Sequence, residues 1–326
     1  MNRLSIPSAL LSAKLTQNVA DLRSRISAVS TEATTGQRAD LTKHLSGRIG
    51  DAMLSQKALQ DITSERSTLG IREARLDLVQ QSLSGIQTTT NGLSARLLSA
   101  VGIGNESEVT AVSRDAKNAL EKVFSSLNVR HGERFLFAGD ATSTQPFGDT
   151  DQLLSDVRQM AIDATDAADF ETLMDDYFNS PTGGWQQTIY QGSATASDGD
   201  AVTATDPALR KVVAGLATMA LAGQDSTPAL LQINMGALQS AADKVSEGQV
   251  DLTNLRAGLG VTQERITSSQ EALDVEETIL TEAFTKIATR DQYEAATELR
   301  ELESNLEASY LLTARLSNLS LMNYLR

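Results

Sequence analysis

LTQNVADLRSRISAVSTEA (Leu15–Ala33) sets Leu15, Val19, Leu22, Ile26, Val29 and Ala33 at alternating steps of four and three. That is the helical period, so all six side chains fall on one face. Near the other end of the 326-residue chain, Leu259, Ile266, Leu273, Leu280 and Ile287 recur every seven residues. A helix with such a stripe cannot bury it alone and must lie against another helix. The longest lattice is Ile62, Leu69, Leu76, Leu83, Thr90 and Leu97, with Val79, Ile86, Leu93 and Ala100 three residues on. Seams that reach both ends of a chain point to a molecule built to assemble.

Working outward, Ser5-Ile6-Pro7 starts a helix with a capping hydroxyl and a first-turn proline, and Gly36 ends it. A second helix is predicted from Arg48 to the glycine caps at Gly102 and Gly104, and a third from Ser107 to Arg130. The run Arg134-Phe135-Leu136-Phe137-Ala138 reads as an extended segment leading out of the helical body. Short helices are expected at 150–164 and 169–178. Strand pieces are expected at 188–190 and 201–203 around the turn Asp198-Gly199-Asp200. Asp206-Pro207 and Thr227-Pro228 each cap a further helix, the second running to Ala288 with Gly248, Gly258 and Gly260 as candidate bends. The lattice slips between Ile287 and Leu299, which predicts a joint near Thr289-Arg290-Asp291 before a last helix from Gln292 to Tyr324.

The expected fold class is mainly α: a long antiparallel helical bundle with coiled-coil arms from both termini and a small mixed α/β inserted domain. The segments are an N-terminal assembly helix (1–40), the two halves of the bundle (41–147 and 226–290), an inserted outer domain (148–225) and a C-terminal assembly helix (291–326). The stripes place Leu15, Val19, Leu22, Ile26 and Val29 against Leu299, Leu302, Leu306, Leu316 and Leu319 as the assembly interface. Two helices alone leave much of that surface wet, and oligomerisation is the natural remedy.

Composition narrows the function. A formal charge of −14 and few aromatics, 4% of residues, argue against nucleic acid and suit helix seams better than an aromatic core. The absence of cysteine excludes disulfides and thiolate chemistry. No run is apolar enough for membrane insertion, and MNRLSIPSALLSAKLTQ lacks the apolar core of a removable signal. His44 and His131 have no ligand spacing and read as solvated. Asp163, Asp166, Asp169, Asp175 and Asp176 have helical spacing without the glycine of a calcium loop, so they read as a solvated face with capping roles. Gly102-Ile103-Gly104 follows a helix rather than a strand, and no nucleophile has a recognisable base beside it. No cofactor, metal site or enzymatic activity is expected.

GERFLFAGDATSTQPF (Gly132–Phe147), which reads G-x-x-F-x-FAG-x-x-T-x-x-x-PF, resembles the signature run of flagellar hook–filament junction proteins, the flagellin-like hook-associated protein 3 family. The matching positions are Gly132, Phe135, Phe137, Ala138, Gly139, Thr142, Pro146 and Phe147. EATTGQR (Glu32–Arg38) is similar to the element that closes the first helix across the wider flagellin superfamily, and LEASYLLTARLSNLSLMNYLR (Leu306–Arg326) to its terminal helix. Where relatives carry N-P-S-D-D-P after that element, this chain has Ala39-Asp40-Leu41-Thr42-Lys43-His44. The resemblance implies an exported structural adaptor of the extracellular flagellum. Its partners would be flagellin, the hook-associated protein adjoining the hook, further copies of itself and an export chaperone. Terminal helices mobile in the monomer would order on assembly. The alternatives are a flagellin filament subunit, sharing both arms but not the FAG-containing run, and a cytoplasmic helical signalling protein.

Overall fold

The computed structural model describes the chain over residues 8–40, 49–222, 227–233 and 235–324, and side chains over 13–40, 50, 52–222, 227–232 and 235–315. The expected helix start at Ser5–Pro7, His44 and the divergent stretch after Asp40 lie outside it. In chain order the helices are α1 (Ser8–Thr35), α2 (Ile49–Thr90), α3 (Leu93–Gly102) and α4 (Glu106–Leu127). Strands β1 (Arg130–His131) and β2 (Arg134–Phe135) follow. Then come α5 (Asp151–Asp163), α6 (Ala167–Asn179), a π-helical turn (Trp185–Ile189), α7 (Pro207–Leu221), α8 (Ala229–Ile233), α9 (Met235–Ala288) and α10 (Gln292–Tyr324). The fold is mainly α. It divides into two compact units, one of residues 1–66 with 271–326 and one of residues 67–270.

Within residues 67–270, the seven-residue lattice is a buried seam. Leu69, Leu76, Val79, Leu83, Ile86, Leu93, Leu97 and Ala100 are all buried, as are Leu252, Leu259 and Ile266 of α9. Thr90, the polar point in the lattice, is buried too: its Oγ1 donates to Ile86 O (2.9 Å) and accepts from Gln249 Nε2 (3.0 Å). A polar row borders the apolar one. Gln80 Nε2 donates to Arg256 O (2.8 Å), Arg256 Nε returns a bond to Gln80 Oε1 (3.1 Å), and Gln87 Nε2 donates to Thr253 Oγ1 (2.9 Å). Further along, Gln263 Nε2 donates to Asp77 Oδ1 (2.6 Å) and Gln270 Nε2 to Glu73 Oε2 (3.0 Å). Rising numbers on α2 thus meet falling numbers on α9, an antiparallel pair. The lattice continues through a break: Gly92 takes φ 77°, and α3 begins at the next residue.

The centre of this unit is α7. Asp206 caps it, accepting from Ala208 N (2.9 Å), and Pro207 supplies a preset first-turn φ. Residues from Ala208 to Leu221 are almost all buried, with α4, α5 and α6 packed on the helix. Its approach to α9 depends on two glycines. A Cβ on Gly215 would lie 2.5 Å from Ala241 O, and one on Gly248 2.6 Å from Val212 Cγ2. Gly248 therefore does not bend α9, which is continuous from Met235 to Ala288; it lets α7 close against it.

The segment expected to leave the helical body instead folds back as its aromatic core. β1 and β2 pair antiparallel, Arg130 with Phe135 and His131 with Arg134, around a two-residue turn in which Gly132 has φ 62°. Phe137, Ala138 and Phe147 are fully buried. Phe147 stacks at ring-centroid distances of 4.5 Å on Phe124, 5.2 Å on Trp185 and 5.7 Å on Tyr190, and Phe178 closes on Trp185 at 5.3 Å. Asn128 grips the same residue by its backbone, donating to Phe147 O (2.9 Å) and accepting from Phe147 N (3.0 Å). Gly139, at φ 61°, leaves room for chain 193–195, since a Cβ there would be 2.3 Å from Ser193 O. Tyr190 Oη lies 2.9 Å from both Phe137 O and Ser193 O. Thr142 holds the motif by its main chain, its carbonyl accepting from Phe135 N (2.8 Å), and Pro146 O accepts from Gln191 N (2.9 Å).

The strand pieces expected at 188–190 and 201–203 are absent. Residues 185–189 form a π-helical turn that buries Trp185 against Phe124, Phe147 and Phe178 and buries Ile189 as well, and 201–203 is irregular. The Asp198-Gly199-Asp200 turn serves ion pairs with Arg134 (3.3 Å) and Arg72 (2.5 Å) rather than a hairpin.

Phe147→Ala should cost about 3–5 kcal/mol in urea unfolding followed by circular dichroism. Gly215→Val, which forces a methyl group into the Ala241 backbone, should cost at least about 1–3 kcal/mol in the same assay.

Candidate functional site

In the unit of residues 1–66 and 271–326, α1 packs along α10. Val29, Ala295 and Leu302 are buried between the two helices, with Leu22, Ile26, Ala33 and Leu299 packed round them and only half-buried. Leu15, Val19 and Leu306 are also half-buried. Leu316 and Leu319 lie on α10, and their side chains fall outside the described residues. Along α10 the cover thins: Tyr310, Leu311 and Leu312 are 42%, 59% and 54% exposed. Two neighbouring leucines at more than half exposure are apolar surface that a monomer gains nothing by presenting.

The pair is fastened at its base by a joint. Gly36 follows α1 in the left-handed region at φ 68°, and its N–H donates to Glu32 O (2.8 Å). The reversed chain then meets residues 288–290: Arg38 N donates to Ala288 O and Arg290 N to Gly36 O, each at 3.0 Å, around a Gln37–Thr289 bridge. Asp291 caps α10 through Tyr293 N (2.8 Å).

Charges lock this joint. Arg290 reaches Glu32 Oε2 at 2.5 Å with one Nη and Glu298 with the other. Glu32 Oε1 accepts from Ala39 N (3.0 Å). The side chains of Arg290 and Glu32 are about nine-tenths covered, at 11% and 10% exposure, so this pair is shielded from solvent screening. Arg25 adds a bond to Glu298 (3.1 Å), but it is mostly exposed and contributes little. Hydrogen bonds to Glu298 and Glu32 raise the Arg290 pKa. The hydrogen bond from Arg290 holds Glu298 below the ordinary carboxylate value. At Glu32 burial pushes the pKa up, but bonds from Arg290 and Ala39 N outweigh it and the net shift is downward.

A groove of about 460 Å³ runs beside the pair, lined by Leu22, Leu302 and the charged Arg25, Arg290, Glu294 and Glu301. Its walls suit another polypeptide's charged flank better than an apolar small molecule. Among the described residues no cluster of three or more His, Asp or Glu has the arrangement of a metal site. Several aspartates of the 163–176 stretch have partners, and Asp175 faces Lys244 at 3.6 Å. Asp166 caps α6 through Ala168 N and Asp169 N (2.9 Å each), and Asp169 reciprocates by accepting from Thr165 N (2.9 Å). Asp163 accepts from Gln159 (2.8 Å). No helix is long and apolar enough to cross a membrane among the described residues.

The motif residues Phe137, Ala138, Gly139 and Phe147 belong to the core of the other unit and touch no ligand site. Glu32 and Arg290, which carry the joint, had no signal as a pair: 258 positions separate them. Only the helix-ending glycine and the lattice slip marked the two places that meet.

The carboxylates set the acid response of the joint. Their folded pKa values lie below the unfolded ones, so their stabilisation is full above about pH 4.3 and is lost as pH falls through the folded values. Amide protection factors along α1 and the start of α10, taken relative to the intrinsic exchange rate at each pH, should therefore fall below about pH 4 and stay constant between pH 5 and 8. Glu32→Gln should loosen the joint by ~1–3 kcal/mol at pH 7 and blunt the acid step.

Residues 242–325 match the family model of the bacterial flagellin C-terminal helical region. No curated protein matches the chain. A solved structure of FlgL from Bacillus cereus is 17% identical at a TM-score of 0.40, over 72% of this chain and 97% of that one. A protein of Vibrio parahaemolyticus described as a flagellar hook-associated protein is 13% identical at a TM-score of 0.27, over 80% of this chain and 95% of that one. The stretch that builds α10 and most of α9 is thus similar to the flagellin C-terminal helical region.

Proposed function

We propose that this protein is a structural adaptor of the bacterial flagellum, joining the hook-associated ring to the flagellin filament and polymerising through its terminal helices. The observation that carries the reading is the half-covered α1–α10 pair. Its stripe is too apolar for a finished surface, and its α10 half lies in the stretch that matches the flagellin C-terminal helical region. Completing that stripe with neighbouring copies would bury leucines at roughly 1.5–3 kcal/mol each. The interface would comprise Leu15, Val19, Leu22, Ile26 and Val29 of α1 with Leu299, Leu302, Leu306, Leu316 and Leu319 of α10. Flagellin, the hook-associated protein adjoining the hook, further copies of this chain and an export chaperone are the partners of this reading. The place of action is the extracellular flagellum. Catalysis has no part in it.

A second reading, a filament subunit, is favoured by the same match to the flagellin C-terminal region. The run from Gly132 to Phe147, which resembles the junction signature, favours the adaptor. Deleting the gene separates the two: loss of an adaptor leaves hooks intact and sheds flagellin into the medium, whereas loss of the filament subunit leaves hooks with no flagellin shed.

Leu312→Asp, at an exposed position, should leave circular dichroism of the monomer within about a tenth of wild type, since surface changes rarely cost more than about 0.5 kcal/mol, whereas Leu22→Asp, packed on the seam, should loosen the α1–α10 pair and leave the unit of residues 67–270 folded. Neither variant should restore filaments to deletion cells by electron microscopy. Normal filaments from both would overturn the assembly role of the terminal helices.

A further inference from the structure

The geometry points to a binding site for a single carboxylate group, formed by Arg72 and Arg75 of α2, Arg134 of β2 and the 198–201 turn. These residues line a cavity of about 30 Å³ whose floor is Leu76, Val79 and Leu136. All three floor residues are buried, so the guanidinium groups stand over a low-dielectric wall where a charge contact is stronger than in open solvent.

Two of the three arginines are occupied. Arg72 bonds Asp200 through Nη2 (2.5 Å) and Nε (2.8 Å), and Arg134 bonds Asp198 (3.3 Å). Arg75 is not: its Nε is buried with no hydrogen-bond partner, and no ion pair engages it among the described residues. A buried donor left unpaired is costly, and more so on a charged group. In a chain with 42 acidic residues against 28 basic ones, an unanswered guanidinium is not for want of carboxylates.

Size and charge select the ligand. Three guanidiniums less two carboxylates leave one positive charge, which one monoanion neutralises. The cavity exceeds what one water needs but is far below metabolite size. The planar fork of an arginine pairs with a carboxylate by two parallel bonds. That carboxylate is either a small free acid or an acidic side chain of a second copy, and the chemistry at Arg75 is the same.

The test uses the full chain and sodium formate, with sodium chloride at matched ionic strength as reference. At 200 mM formate the thermal midpoint should rise by roughly 2–4 °C over the chloride value. Arg75→Gln should abolish that increment. Arg75→Lys, which keeps the charge and loses the fork, should abolish most of it. Arg114→Gln, an exposed site on α4, should retain it. Sedimentation velocity in parallel separates the sources. If a second copy supplies the group, Arg75→Gln weakens self-association at least about tenfold and formate competes with it; if a free acid does, association is unchanged. A wild-type protein with no formate-specific increment and no Arg75-dependent association holds only water there, which overturns the site. An increment that persists in both Arg75 variants overturns it equally.

Discussion

A stripe of leucines at a seven-residue spacing must be buried, and every other feature of this molecule answers that demand. The same spacing creates a hazard, because sliding α2 by one repeat along α9 would set leucine against leucine again. Two devices fix alignment along α9, the first for α7 and the second for α2. Gly248 is the point on α9 where Val212 can approach to contact, and Gly215 offers α9 the matching gap. The second is the polar row, in which Arg256 is held between Gln80 and Gln87 and Gln249 reaches Thr90. Apolar burial supplies most of the energy. The glycines and the amides supply the alignment.

The short motif between Gly132 and Phe147 has a comparable physical content. Its glycines permit backbone turns and close chain approach, and its Phe147 joins α4 to the π-helical turn, where Phe178 of α6 closes on Trp185. EATTGQR likewise resolves into Glu32 as the carboxylate that receives Arg290, Gly36 as the left-handed reversal and Arg38 as a backbone donor across the joint. Both sequences specify geometry, and neither carries a reacting group.

Much of this was legible in the sequence because periodicity encodes burial directly. Every lattice point from Ile62 to Ala100 is buried, the joint near Arg290 falls where the repeat slips, and α5, α6 and α10 begin within two residues of expectation. The errors share a cause. Residues 134–147, 185–190 and 201–203 lack a strong period, so local propensity suggested strands, while tertiary aromatic packing decided the outcome. Gly248 was open to the same misreading: a glycine in a helix looks like a weakness until the helix that presses against it is known. The Glu32–Arg290 pair was out of reach because its partners are joined by no local pattern.

The chain has one tryptophan, and it lies fully buried among Phe124, Phe147 and Phe178 in the unit of residues 67–270, while Tyr293 and Tyr310 stand exposed on α10. Light excited at the red edge of the absorption band is therefore emitted by one body alone. The emission colour of Trp185 tracks the aromatic core of that unit. A collisional quencher reaches Tyr293 and Tyr310 on α10 sooner than the half-buried Tyr177 or the buried Tyr190, so accessible tyrosine and Trp185 report on the two units separately.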